Sequence, residues 1–61
     1  MNKYHWIEFL FIDSDGYTMD GAEHTQDLIT FGLITPDPNG GYEVTPKGER
    51  LIEQLHTLYK D

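Results

Sequence analysis

Between Gly32 and Leu55 the chain carries a punctuation residue at every joint: Gly32, then Leu33-Ile34-Thr35, then Pro36-Asp37-Pro38-Asn39-Gly40-Gly41, then Tyr42-Glu43-Val44-Thr45, then Pro46-Lys47-Gly48. No regular element continues through two prolines, an Asn-Gly step and a second glycine. The order is therefore helix stop, strand, tight loop, strand, helix start. In the return strand Tyr42 and Val44 share one face, Glu43 and Thr45 the other, as in a half-buried strand. Thr45 suits the N-cap and Pro46 the first helical position, where a missing N–H costs nothing. A helix is predicted over Pro46–Tyr59, with Leu51, Ile52, Leu55, Leu58 and Tyr59 on one stripe and Glu53, Gln54, Thr57 and Lys60 facing solvent.

Upstream the pattern is less regular. Residues 4–12, Tyr-His-Trp-Ile-Glu-Phe-Leu-Phe-Ile, are aromatic and branched almost throughout. Tyr4, Ile7, Leu10 and Phe11 fit one helical stripe, whereas Trp6, Phe9 and Ile12 fall off it, so a helix here is apolar nearly all round. A strand buried on both faces is the alternative; helix is preferred because a long strand needs partners on both sides. Asp13-Ser14-Asp15-Gly16 is expected to break this element as a turn. Tyr17-Thr18-Met19 reads as a short extended piece. Asp20 and Glu23 have capping-box spacing before a second helix over residues 21–31, whose apolar face is Ala22, Leu28 and Ile29 with Phe31 beside them. Gly32 is placed for a left-handed cap.

Sixty-one residues make one domain, residues 1–61, able to bury roughly 60% of its unfolded surface. With no cysteine it is held by packing, an ion or a partner, and the lack of cysteine in so small a domain argues for a reducing, cytoplasmic location. No apolar run approaches the roughly 20 residues of a bilayer span, and the first residues lack a signal peptide's uncharged core. Eleven Asp and Glu face four Lys and Arg, a formal net charge of −7. The cations are Lys3, Lys47, Arg50 and Lys60, so residues 4–46 carry Glu8, Asp13, Asp15, Asp20, Glu23, Asp27, Asp37 and Glu43 with no Lys or Arg among them.

The order helix, short strand, helix, Gly-Leu-Ile, hairpin, Thr-Pro-Lys-Gly and amphipathic helix resembles a winged-helix domain. Gly32 through Leu55 is similar to the wing and following helix of small bacterial regulators of the MarR and PadR kind. The resemblance implies an α/β (α+β) fold in which the helix before the wing enters the major groove and the wing touches the backbone. That would assign residues 21–31 and 36–41 to DNA, in a dimeric transcriptional regulator. The side chains there have the wrong sign: Glu23, His24, Thr25, Gln26 and Asp27 on the helix, Asp37 and Asn39 on the wing. Gln26 and Asn39 have groups that read bases, but duplex affinity comes mainly from Lys and Arg on phosphates. Direct nucleic-acid binding is therefore not expected.

Other constellations are weaker. Asp13-Ser14-Asp15-Gly16 opens like a calcium loop, yet with Asp13 first the glycine position falls on Thr18 and the bidentate glutamate position on His24. Asp20, Glu23, His24 and Asp27 have i, i+3, i+4, i+7 spacing, a single helical face, and His with Asp three residues on is a metal-binding pair. His5 or His56 would have to close such a site, and nothing in the sequence places either nearby, so no metal or cofactor is expected. Ser14 is the single serine and lacks a nucleophile motif, and Gly40-Gly41 lies in a hairpin, so neither enzymatic activity nor a phosphate loop is expected.

The sequence thus points to a small acidic protein-interaction or regulatory module. Its candidate partner-binding face is Asp13, Asp15, Asp20, Glu23, Asp27, Asp37 and Glu43, directed at a basic protein surface. Tyr4, Trp6 and Phe9 are candidate apolar anchors toward that partner or a second copy in a homodimer. One form is an inhibitor or DNA mimic, similar in composition to small acidic phage-type inhibitors.

Overall fold

A computed structural model describes residues 1–58. The elements are α1 (Lys3–Asp15), α2 (Thr25–Thr30), β1 (Ile34–Pro36), β2 (Tyr42–Val44) and α3 (Pro46–Leu58). The class is α+β: helices around an antiparallel hairpin whose register pairs Ile34 with Val44, Thr35 with Glu43 and Pro36 with Tyr42. Tyr59, assigned above to the last helix, and Lys60, placed on its solvent side, lie outside the described residues.

Helix, not strand, forms at the start. Asn2 Oδ1 accepts the N–H groups of Tyr4 (2.9 Å) and His5 (3.0 Å), and the Asn2 N–H donates back to His5 Nδ1 at 3.2 Å, a capping box with His in place of Glu. The helix does not break at Asp13. It continues through Asp15 because Asp and Ser cost only a few tenths of a kcal/mol each inside a helix. It ends where Gly16 turns left-handed (φ 85°) and returns its N–H to Ile12 O at 2.8 Å. Tyr17–Met19 is not a strand: Gly16 O accepts one bond from Tyr42 N–H (2.8 Å), and the sheet has two strands.

The second helix begins later than the Asp20–Glu23 spacing predicts. Gly21 takes φ 77° and the Ala22 N–H reaches Met19 O at 3.2 Å, so this segment is a turn. Helical bonding starts with Leu28 N–H to His24 O, 3.1 Å. Asp20 and Glu23 therefore share no helical face with Asp27. At the other end Gly32 adopts φ 76° and gives the paired Schellman bonds, Gly32 N–H to Ile29 O (2.9 Å) and Leu33 N–H to Leu28 O (3.0 Å).

Thr45 joins these ends. Its hydroxyl donates to Gly32 O (2.5 Å) and accepts the Gly48 N–H (3.1 Å), capping α3 while tying it to the end of α2. Lys47 Nζ adds a bond to Phe31 O at 2.7 Å, a cation at the negative end of α2. Phe9, Ile12, Leu28, Leu33 and Ile34 form the core, with Trp6, Ile29, Tyr42, Val44, Leu51 and Ile52 packed against it. The far end of α3 projects beyond this core: Leu58 is 79% exposed and the molecule measures 35 × 22 × 20 Å.

Candidate functional site

The core-facing stripe of α1 is His5, Glu8, Phe9 and Ile12, at i, i+3, i+4 and i+7. The more apolar stripe faces outward: Tyr4 is 54%, Ile7 49%, Leu10 37% and Phe11 39% exposed. The reversal is caused by contacts from distant parts of the chain. Glu8 is buried because its Oε1 accepts the backbone N–H of His24 at 3.1 Å, and His5 because its Nε2 lies 3.0 Å from Asp27 Oδ2. Two polar residues thus hold the 19–24 segment and α2 against α1, and their partners offset their desolvation.

Beside the outward stripe runs a groove of about 410 Å³ whose walls include Tyr4, Ile7, Met19, Ala22, Glu23 and His24. Of the apolar candidates, Tyr4 belongs to this surface. Phe9 does not: it is 0% exposed at the centre of the core, which removes it as an interface anchor. Trp6 is half-buried, its ring 6.1 Å from that of Phe9. Ile7, Leu10 and Phe11 share the exposed stripe with Tyr4. The i, i+3, i+4 spacing was the signal for this face, but periodicity alone does not say which stripe turns inward.

The acidic candidates are dispersed over several elements. Asp13 and Asp15 are exposed in the last turn of α1, and Asp20 and Glu23 are exposed in the loop before α2. Glu43 is exposed on β2, opposite Thr35. Asp37 is half-buried in the hairpin loop, where its Oδ1 accepts the Asn39 N–H at 2.8 Å. Asp27 is drawn into a cluster with His5 and His24.

Asp27 Oδ2 lies 3.0 Å from His5 Nε2 and 3.7 Å from His24 Nδ1, and the two imidazole centroids are 4.6 Å apart. The Asn2 N–H donates to His5 Nδ1, so the neutral ring carries its proton on Nε2 and donates to Asp27. That hydrogen bond is the main cause holding the Asp27 carboxyl below its ordinary 3.8; the charge of His5, then that of His24, acts the same way, and desolvation opposes them. A depressed carboxyl stabilises the fold above its unfolded-state value and loses that contribution as pH falls through its folded-state value. Asp27→Asn is therefore expected to lower Tm near neutral pH and to differ progressively less from the parent as pH falls below 3.8. Thermal melts followed by circular dichroism check this; a Tm difference constant down to about pH 2 contradicts it.

Among the described residues, no helix is long and apolar enough to cross a membrane. No protein-family model, no curated protein and no solved structure matches this chain.

Proposed function

We propose that the chain is an acidic protein-interaction module on a winged-helix-like scaffold, docking through the outer side of α1 onto a partner with an apolar ridge edged by Lys and Arg. The observation that carries this reading is the outward stripe Tyr4, Ile7, Leu10 and Phe11 beside an apolar-walled groove. Charge complementarity selects the partner: a net charge of −7, with no Lys or Arg from residue 4 to 46, favours a basic surface and disfavours a second copy of equal charge. Lys3 begins α1 while Asp13 and Asp15 end it, against the dipole of their own helix, so these charges do not serve helix stability. An inhibitor that covers the nucleic-acid site of a basic protein, as a DNA mimic does, is one form of this activity. The order α2, hairpin, α3 supports the winged-helix scaffold. Its use on DNA lacks cations, since Lys47 is engaged at Phe31 O.

The test uses a cationic amphipathic Leu/Lys helical peptide added to ¹⁵N-labelled protein. Amide shifts are expected to concentrate on residues 4–11 and 19–24, with affinity falling as salt rises from about 50 to about 300 mM. The charge-neutral double variant Ile7→Ser/Phe11→Ser is expected to bind at least tenfold more weakly, about 1.4 kcal/mol, while folding stability changes by less than about 1 kcal/mol. Unchanged affinity in that variant refutes the docking face. Sedimentation showing a dimer that tightens with salt would put a second copy on the stripe instead. Shifts in α2 and the hairpin with duplex at about 50 mM salt would favour the DNA-binding regulator.

A further inference from the structure

We propose that His5, His24 and Asp27 form a binding site for one divalent transition metal ion of the zinc class, clamping the start of α1 to the start of α2. The sequence supplies His24 and Asp27 as a pair on adjacent turns; the fold brings His5 to them across 22 residues of chain. One donor atom from each residue lies within 4.8 Å of both others, and both imidazoles aim a ring nitrogen at the same carboxylate oxygen, Asp27 Oδ2.

The spacing is close to what a metal needs. Bonds of about 2.0–2.1 Å in a tetrahedron place ligand atoms ~3.3 Å apart. The His5–Asp27 and His24–Asp27 separations, 3.0 and 3.7 Å, fall on either side of that value, while the two imidazole nitrogens lie within 4.8 Å of each other and must draw together around the ion. His24 Nδ1 at 3.7 Å is too far from the carboxylate for a hydrogen bond, so an ion binding there displaces no direct His24–Asp27 bond. His24 precedes the first turn of α2 in a non-helical conformation (φ −114°, ψ 14°). Two imidazoles and one carboxylate suit Zn²⁺, Co²⁺ or Ni²⁺ better than Ca²⁺ or Mg²⁺, which prefer all-oxygen shells. Three protein ligands leave the fourth position to water.

The surroundings fit a supported site. Glu8, buried on α1, holds the backbone of His24 by accepting its N–H at 3.1 Å. The Phe31 ring lies 5.4 Å from His5 and the Tyr4 ring 6.4 Å from His24, giving the site apolar flanks. One contact opposes binding. A metal on His5 Nε2 moves the ring proton to Nδ1, which then faces the Asn2 N–H, so the return bond of the capping box is lost. That cost, and the half-exposure of Asp27, place the expected affinity near the micromolar range rather than that of closed structural zinc sites.

Co²⁺ titration of the metal-free protein is expected to give one-to-one binding with the visible absorption of a four-coordinate ion. Zn²⁺ is expected to compete, to raise Tm, and to shift the ring resonances of His5 and His24 but not those of His56 on α3. His24→Ala and Asp27→Asn are each expected to weaken binding at least tenfold, and His56→Ala to leave it unchanged. His5→Ala also removes half of the capping box, so the first two variants, checked for folding by circular dichroism, carry the test. Absence of saturable binding below about 100 μM metal, or binding that survives both variants or disappears with His56→Ala, overturns the proposal.

Discussion

Phe9→Ala is expected to unfold most of the protein at 25 °C. Phe9 is 0% exposed, packed with Ile12, Leu28, Leu33 and Ile34, and emptying such a position costs about 3–5 kcal/mol in lost transfer energy and cavity. A cysteine-free core this small supplies little more than about 3–5 kcal/mol of net stability, so the substitution consumes nearly all of it. Phe11→Ala, two residues on and 39% exposed, is expected to cost under about 1 kcal/mol. Urea titrations of the two variants side by side measure the difference. Equal costs would mean that α1 presents the opposite face to the core. The same pair separates stability from docking, since Phe11 lies on the proposed partner surface and Phe9 does not.

The second large effect runs against helix propensity. Gly48 lies in the first turn of α3, and replacing a helical glycine with alanine ordinarily stabilises by about 1 kcal/mol. Here α3 crosses the core so closely that a methyl group would meet the Leu33 carbonyl oxygen, with Val44 Cγ1 at 2.7 Å and Phe9 Cζ at 3.1 Å. The Leu33 carbonyl cannot yield freely, because it accepts the Thr45 N–H at 3.0 Å. Gly48→Ala is expected to destabilise by a net of about 2 kcal/mol, lowering Tm by roughly 8–16 °C. A rise in Tm would show that α3 does not seat on the hairpin and α1 in this way.

Punctuation made the second half of the chain readable. Gly32, Pro46 and the 36–41 loop impose backbone angles that few other residues accept, and Thr45 acts at its own helix terminus; these local constraints survive into the fold. The first half was less legible where the decision depended on distant partners. Asp13, Ser14 and Asp15 are turn formers, yet mild ones, and remained helical until Gly16 provided a left-handed exit. Asp20 and Glu23 had capping spacing, but Gly21 at φ 77° turned the chain before a helix could start there.

The candidate sites show the same division. His24 and Asp27 were visible as a pair because their separation is a helical repeat, whereas the approach of His5 depends on how α1 and α2 pack. Tyr4, Ile7, Leu10 and Phe11 were visible as a stripe, but its outward direction follows from Glu8 accepting the His24 N–H and His5 donating to Asp27, bonds spanning 16 and 22 residues.

The sequence by itself determined the acidic field, the absence of disulfides, the hairpin and the caps around it, because these depend on residue chemistry and on near neighbours. Only the tertiary structure decided that Phe9 is core and Phe11 is surface, that Gly48 is a packing requirement, and that two histidines meet one carboxylate. On a helix apolar nearly all round, hydrophobicity scarcely distinguishes one face from another. The choice falls to the few polar groups whose burial costs least when a partner from the next helix satisfies them.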